Sequence, residues 1–247
     1  MKTLFSICIV IGSCFFTYGM DLSEIQALDQ LAHYARALEL CKKTPSDAFS
    51  LYFIGDYLYH GRKGINRDQN LGREFYRKAI PVLSAFAENG NILAQYYLAR
   101  CHEYGDSNLK LAREWYLKAA ESGNSKAMCK AAMFVAKRKG GGEKNPDKVM
   151  GYINKAIEAG EPDGKALLAS YYLESRKNIE KGIQLAKEAA AAGSPLGQMI
   201  VGGIYSMGMG SVVKDEGKAI EFLKASSDQG NSMANEVLSQ LKEKVFR

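Results

Sequence analysis

AREWYLKAAESGNSKA, residues 112–127, is the stretch that decides the fold of this chain. An amphipathic run rich in Lys and Ala ends there in a glycine, and a second helix-forming run begins directly after it. Similar glycines return at intervals of 33, 37, 33 and 37 residues, at Gly90, Gly123, Gly160, Gly193 and Gly230. A repeat of this length is typical of a solenoid, whose units bury their apolar faces by stacking on their neighbours. The chain is therefore predicted to be all-α.

The repeats on either side of that stretch cover most of the 247 residues. We predict a right-handed α-solenoid of about five helix hairpins, with units at 48–90, 91–123, 124–160, 161–193 and 194–230. Residues 20–47 are predicted to form an N-terminal capping helix. Residues 231–247 are predicted to form a C-terminal capping helix, because their charged side chains suit an end that has no further neighbour.

Two sets of positions recur in the units and predict how the helices pack. The first helices carry small residues, which allow the partner helix to approach to about 8–10 Å: Gly55, Ala99, Ala132, Ala169 and Gly202. The second helices carry large side chains that are expected to fill the space between units: Phe75, Trp115, Tyr152, Leu185 and Phe222. The boundary glycines are expected to adopt the left-handed conformation that ends a helix.

The most hydrophobic segment lies at the N-terminus. A basic start at Lys2 is followed by the thirteen uncharged residues Leu4–Phe16 and by the small residue Gly19. This order is typical of a secretory signal peptide, which we assign to residues 1–19, with a buried first helix as the alternative. The segment is shorter than the roughly 20 apolar residues of a membrane-spanning helix. No integral membrane span is therefore predicted.

Export would place the protein in the periplasm or outside the cell, and association with the envelope is a further expectation. Residues 11–14, Ile-Gly-Ser-Cys, resemble a bacterial lipobox, so a lipid anchor on Cys14 is the alternative to a soluble exported form. Phe15 and Phe16 continue the apolar run where a lipoprotein usually becomes polar. The soluble form is therefore favoured.

The distribution of charge argues against a nucleic-acid partner. The formal net charge is +6, but the basic residues are spread along the helices. The tight basic cluster at 137–139, Lys-Arg-Lys, lies beside three glycines in a loop. Nucleic-acid binding needs a basic stripe with elements that enter a groove or stack on bases, so none is predicted.

No arrangement of catalytic or metal-binding residues stands out in the sequence. The three histidines form no HExxH pair, and Ser206 lacks the preceding glycine of a nucleophile elbow. We therefore predict no catalytic residue, no metal site and no cofactor. Cys41, Cys101 and Cys129 show no repeating spacing and are expected to be buried free thiols.

The repeat residues carry a resemblance to a known family. The first unit has Ile54-Gly55, Gly61, Gly64-Ile65, Asp68, Phe75-Tyr76 and Lys78-Ala79. The second unit has Ala94, Leu98, Gly105, Ala112, Trp115-Tyr116, Lys118-Ala119-Ala120 and Gly123. This pattern resembles the Sel-one-like repeat, a branch of the tetratricopeptide-like superfamily. The resemblance covers nearly all of the chain after the signal segment and implies a concave face that binds other proteins.

The resemblance also indicates which side chains the first helices present on that face. The candidate partner-binding residues are Tyr52, Asp56, Tyr59, His60, Tyr96, Arg100, Glu103, Tyr104, Met133 and Lys137. The first two units are rich in Tyr and Arg, which dominate binding hot spots. Packing of the tyrosines between helices is the competing interpretation.

Three functions remain open at this point, because a fold alone does not define a function. The first is a non-enzymatic scaffold or adaptor that is exported and binds a protein partner. The second is an immunity protein that neutralises a secreted lipase-type toxin, as the resemblance implies for short exported relatives. The third is a β-lactamase-like or peptidoglycan-binding protein, although the paired cysteines of such relatives are replaced here by Ala119-Ala120 and Ala127-Met128.

Overall fold

The computed structural model describes residues 22–245, and side chains as far as Leu241. This part of the chain folds into thirteen helices and no strand. An N-terminal pair is formed by α1 (Leu22–Gln30) and α2 (Tyr34–Lys43). Five hairpins follow: α3 (Ala48–His60) with α4 (Gln69–Glu88), α5 (Ile92–Tyr104) with α6 (Leu109–Glu121), α7 (Ser125–Ala136) with α8 (Pro146–Glu158), α9 (Pro162–Ser175) with α10 (Ile179–Ala191), and α11 (Pro195–Met207) with α12 (Glu216–Asp228). The last helix is α13 (Ser232–Val245).

A polar side chain begins most helices of the array. It accepts a hydrogen bond from the backbone N–H three residues further on, as at Asp47 before α3, Asn91 before α5 and Asn124 before α7. Such a cap stabilises a helix by about 1 kcal/mol. Because caps recur at nearly every unit, the sequence fixes where each helix starts.

The boundary glycines adopt the predicted left-handed conformation. Gly90, Gly123, Gly160, Gly193 and Gly230 have φ of 87°, 97°, 74°, 86° and 83°. This region is costly for a residue with a Cβ. The glycine period of the sequence is therefore confirmed as the period of the helix ends.

The small residues of the first helices also have the predicted role. A Cβ on Gly55 would lie 3.1 Å from the carbonyl oxygen of Gly72, on the paired helix α4. A Cβ on Gly202 would lie 2.7 Å from the Cγ of Leu223, on α12. The backbones of a hairpin thus approach each other too closely for a larger residue.

The prediction for the second helices is displaced by one residue. Phe75, Trp115, Tyr152, Leu185 and Phe222 are only half-buried. The residues that follow them lie in the core and are at most 4% exposed: Tyr76, Tyr116, Ile153, Ala186 and Leu223. One step along a helix turns the side chain by about 100°, so the first residue of each pair lies at the edge of the core and the second lies inside it.

The N-terminal segment contains two helices instead of the single capping helix predicted over 20–47. The break lies at Ala32, which has a φ of 56°. The His33 N–H donates to the Leu28 carbonyl and the Ala32 N–H to the Asp29 carbonyl, the hydrogen-bond pattern of a helix that stops at a left-handed residue. Alanine is not a residue type that signals a left-handed helix end, and the apolar residues on both sides keep helical spacing. The sequence therefore did not indicate this break.

Two expectations concern the ends of the chain. The signal peptide assigned to residues 1–19 lies outside the described residues. The C-terminal capping helix predicted over 231–247 corresponds to α13. Within residues 22–245, no helix has both the length and the apolar character needed to cross a membrane.

The buried side chains form unequal clusters along the array. The largest runs from α1 to α8 and includes many aromatic residues, and a smaller one lies among α9–α12. The array also closes on itself, because the Lys63 N–H in the loop after α3 donates to the carbonyl of Asp228 at the end of α12, at 2.9 Å. Gly230 lies against the same loop, and a Cβ there would be 3.0 Å from the Cβ of His60.

Candidate partner-binding site

Asp56 on α3 is the centre of a buried charge cluster that joins the first two units. Its side chain is 4% exposed. The Nη2 of Arg62, in the loop after α3, lies 2.6 Å from Oδ2, and the Nη2 of Arg100, on α5, lies 2.5 Å from Oδ1. The hydroxyl of Tyr76 on α4 donates to Oδ1 at 2.8 Å. One carboxylate thus holds three helices and a loop together.

The neighbouring charges decide the protonation of this carboxylate. Burial alone would raise the pKa of Asp56, but the guanidinium groups of Arg100 and Arg62 overcome that effect and hold the pKa well below its ordinary value. The cluster is therefore ionised at neutral pH, with two cations on one anion.

His60 ends α3 beside the same cluster. Burial lowers the pKa of His60 to about 3, and the charge of Arg100 adds to this effect while Asp56 opposes it. The Nη2 of Arg100 lies 3.0 Å from the Nε2 of His60, which fits a neutral ring that accepts through Nε2. The rings of Tyr59 and Tyr104 pack against the imidazole, with centroids 5.0 and 4.8 Å away.

A second charge centre, at Glu103 on α5, links the second and third units. Its Oε2 accepts from the hydroxyl of Tyr116 at 2.7 Å and from the Nζ of Lys130, on α7, at 3.1 Å. Burial alone would raise the pKa of Glu103. The charge of Lys130 and the hydrogen bond from Tyr116 outweigh that effect and lower the pKa to about 2. Tyr104 joins the two centres, because its hydroxyl accepts from Lys130 at 3.0 Å and its ring lies 5.4 Å from the guanidinium of Arg100.

This row of buried charges is confined to the first three units. Repeat spacing places Ser170 and Gly203 at the position of Asp56 in the fourth and fifth units, and Leu173 and Ser206 at the position of Glu103. The later units therefore lack the carboxylates on which the row depends. The candidate site lies in the N-terminal part of the array.

A cavity of about 290 Å³ lies between α1 and the inner face, by which we mean the surface of α3, α5 and the start of α7 that α1 covers. Its aromatic lining consists of Tyr52, Phe53, Tyr96 and Tyr97. Its charged lining consists of Asp29, Asp56, Arg62, Arg100 and Lys126. The cavity is thus a polar and aromatic pocket built from α1 and three successive units.

Helix α1 is held over this face by both apolar and polar contacts. Ile25 is fully buried and Leu28 is 7% exposed. The Tyr57 hydroxyl donates to the Oδ1 of Asp29 at 3.1 Å, and Gln26 donates to the hydroxyl of Tyr97 at 3.4 Å. The N-terminal segment therefore forms a wall of the pocket, a role that the sequence did not suggest.

A second depression of about 290 Å³ lies beside the loop between α11 and α12. Two of its three lysines are paired, Lys214 with Glu216 at 2.6 Å and Lys218 with Asp215 at 3.6 Å. These pairs are solvent-exposed and contribute little. This depression lacks the buried, ordered side chains of the pocket under α1.

The structure divides the ten predicted site residues into three groups. The pocket is lined by Tyr52, Asp56, Tyr96 and Arg100. The interior row beside it contains Tyr59, His60, Glu103 and Tyr104. Met133 is half-buried on α7 and Lys137 is exposed where that helix ends, and neither lines the pocket. Tyr52 and Tyr96 are packed in the interior, at 3% and 6% exposure, and also line the cavity, so partner binding by these tyrosines stays a prediction.

Sequence reasoning missed several residues of the site. Tyr76 and Tyr116 each follow an aromatic residue that was taken for the buried one. Lys130 stands in the apolar run Ala-Met-Cys-Lys-Ala-Ala-Met-Phe, at the repeat position that Phe53 and Tyr97 occupy in earlier units. A lysine among buried residues was a usable signal that a carboxylate lies opposite.

The cysteines are free and buried within the described part of the chain. Burial raises the pKa of Cys41 to about 12 and raises that of Cys101 well above its ordinary value. Such thiols are unreactive. Among residues 22–245, no cluster of His, Cys, Asp and Glu is arranged to hold a metal ion.

The stacked hairpins and the inner face define a helical-repeat scaffold. The Sel1 repeat model matches residues 48–80, 92–124, 125–161, 162–194 and 195–231. The chain therefore belongs to the Sel1 repeat family, whose members are protein-interaction scaffolds. No curated protein matches the chain.

Several solved structures are similar to this chain. Protein 5086 of Pseudomonas aeruginosa is 14% identical, with 84% of each chain covered and a TM-score of 0.52. A Sel1 repeat protein from Oxalobacter formigenes is 22% identical, with 87% of this chain and 86% of that chain covered and a TM-score of 0.47. Immunity protein Pa5087 from Pseudomonas aeruginosa is 16% identical, with 84% of each chain covered and a TM-score of 0.49. The likeness to protein 5086 supports the helical-repeat fold. At 14% identity it indicates nothing about a role.

Proposed function

We propose that this protein is a non-enzymatic adaptor that holds a segment of a protein partner in the pocket between α1 and the inner face. The observation that supports this proposal is the pocket itself, where aromatic and arginine side chains from the first two units meet in one cavity, with Lys126 of the third unit beside them. Tyr and Arg are the types that dominate binding energy at protein interfaces.

The ion pairs make this pocket a rigid receptor. Arg100 and Tyr52 are fixed by Asp56, and Tyr52 also stacks on Tyr97 with centroids 4.1 Å apart. A receptor that is ordered before binding does not have to immobilise those side chains when the partner arrives. The buried row thus serves recognition by keeping the lining in place.

The same contacts argue against a catalytic role for the groups nearby. Asp56 and Glu103 are ionised and fully engaged by cations and tyrosine hydroxyls. His60 has a pKa of about 3, far from the range in which a general base works at neutral pH. A non-enzymatic adaptor is the function that suits these side chains best.

Site-specific photocrosslinking tests the proposal. A photoreactive phenylalanine analogue placed at Gln30 or Lys126, exposed residues that line the pocket, is expected to capture one protein in the native host. The same analogue at Lys155 or Glu158, exposed on α8 away from the pocket, is the control and is expected to capture none. Equal capture at both pairs of positions, or none at the pocket, would refute the assignment.

The identity of the captured protein also tests the alternatives. A secreted lipase at the pocket would identify an immunity protein. Nitrocefin hydrolysis by the purified protein, or retention of muropeptides on it, would instead support the β-lactamase-like or peptidoglycan-binding alternative. We expect neither, because the chain lacks the paired cysteines of that group.

Export is part of the proposal and is supported by the composition of the first 19 residues. Expression of the full chain with a C-terminal tag, followed by fractionation and N-terminal sequencing, tests it. A mature N-terminus after Gly19 in the periplasm or medium is expected. A lipid-modified N-terminus at Cys14 would establish the anchored form, and an intact Met1 in the cytoplasm would refute export.

A further inference from the structure

We propose that the pocket under α1 binds a carboxylate group, supplied by an acidic side chain or by the free C-terminus of the partner. This inference rests on the proposed function and adds the chemistry that the pocket recognises. It depends on the balance of charges, on the hydrogen-bond donors left over inside the pocket, and on its size.

The balance of charges in the lining is positive. Arg62, Arg100 and Lys126 face two carboxylates, Asp56 and Asp29. Asp56 is already shared between the two arginines. Burial raises the pKa of Asp29, and the charges of Arg62 and Lys126 oppose this effect. With both carboxylates counted as ionised, a surplus of one positive charge remains for a ligand.

The pocket contains hydrogen-bond donors that have no acceptor. Arg62 donates to Asp56 through Nη2, and its Nε is buried with no hydrogen-bond partner among the described residues. The hydroxyls of Tyr96 and Tyr97 each accept a hydrogen bond, from Arg100 and Gln26 respectively, which leaves both O–H groups free to donate. A carboxylate offers acceptors only, which is the complement of this lining.

The position of Lys126 strengthens the attraction. Lys126 lies in the first turn of α7, it is exposed, and it has no carboxylate within 4 Å among the described residues. The first turn of a helix adds a partial positive charge from its free N–H groups. A ligand carboxylate beside Lys126 would meet this cation and a helix N-terminus.

A cationic ligand does not fit the same lining. The Oδ1 of Asp56 accepts from Arg100 and from Tyr76, and its Oδ2 accepts from Arg62. The Oδ1 of Asp29 accepts from Tyr57. Asp56 therefore offers few lone pairs to an ammonium or guanidinium group, and two buried guanidinium groups would repel it.

The size of the cavity limits the ligand to one or two side chains. Its volume of about 290 Å³ lies at the lower limit of pockets for small molecules, which are about 300–1,000 Å³. Aromatic rings line it beside the cations. An acidic residue next to an aromatic residue therefore matches both the volume and the lining.

Three dipeptide probes test the inference by NMR titration of the ¹⁵N-labelled protein. N-acetyl-Tyr-Glu-amide carries a side-chain carboxylate, N-acetyl-Tyr-Gln with a free C-terminus carries a terminal carboxylate, and N-acetyl-Tyr-Gln-amide carries neither. At least one carboxylate probe is expected to bind about fivefold more tightly than the neutral probe, as for one partly exposed ion pair. The arm that binds identifies the source of the carboxylate.

Matched variants locate that preference. Lys126→Met is expected to lower the affinity for the carboxylate probe about fivefold and to leave the affinity for the neutral probe unchanged. Lys137→Met, an exposed lysine at the other end of the same helix, is the control and is expected to change neither. Equal binding of all three probes, no binding of any, or equal effects of the two variants would overturn the inference.

The inference and the proposed function fail in different ways. Partner capture at Gln30 and Lys126 without a carboxylate preference would overturn the inference and leave the adaptor in place. A carboxylate preference without partner capture would support the carboxylate chemistry of the pocket and overturn the adaptor.

Discussion

Replacing Asp56 by Ala is expected to destabilise the protein far more than removal of an ordinary carboxylate. The change leaves the guanidinium groups of Arg62 and Arg100 buried, at 15% and 14% exposure, without their counter-ion. Removing one partner of a buried ion pair costs about 3–5 kcal/mol. The hydroxyl of Tyr76 also loses its acceptor, which adds about 1 kcal/mol or more.

Glu188→Ala provides the matched control. Glu188 pairs with Lys165 at 2.7 Å, but both side chains are about two-fifths exposed, at 39% and 42%. Exposed pairs contribute about 0–1 kcal/mol. The two variants therefore remove the same kind of contact in opposite surroundings, and they are expected to differ by about 3 kcal/mol or more.

Urea unfolding followed by circular dichroism measures the difference. Hydrogen exchange should accompany it, because a repeat array can lose its units separately. Loss of protection is expected first in α3–α5 of Asp56→Ala. If this variant is no less stable than Glu188→Ala, the buried cluster does not hold the first units together and the reasoning is refuted.

Three further outcomes are expected. Gly230→Ala should lose more stability than Gly193→Ala. Both residues have positive φ and share a left-handed cost of about 1–2 kcal/mol, but only at Gly230 does a new Cβ meet His60. Equal melting temperatures of the two variants would show that the closing contact contributes nothing. Stability should fall between pH 6.5 and pH 5, because unfolded chains bind a proton at His60 in this window whereas the folded pKa is about 3. His60→Gln should lose about 2 kcal/mol less over the same window in urea titrations, and an unchanged slope would contradict the neutral, buried ring. The three buried thiols should resist Ellman's reagent in the native protein and react after denaturation; rapid native reaction would show that they are accessible.

Much of the fold could be predicted because its determinants are local. The glycine period, the capping residues and the small positions of the first helices act within one hairpin and repeat along the chain, so the sequence carries them several times. The break at Ala32 appears once and rests on a left-handed alanine. The repeat pattern therefore could not predict this break.

The site was predictable only in part, for a related reason. Tyr52, Asp56, Tyr96 and Arg100 were identified because they occupy corresponding positions of the first two units. The pairing of Asp56 with Arg62, a loop residue, depends on how the chain returns after α3. The covering of this face by α1 depends on packing between distant segments, which periodicity does not report.

Hydrogen exchange of the complex with the captured partner is the most direct measurement of the central claim, that the inner face beneath α1 receives the partner. Binding is expected to increase protection in α1, α5 and the start of α7, where the pocket is built. Protection confined to α9–α13, or to the second helices alone, would contradict it.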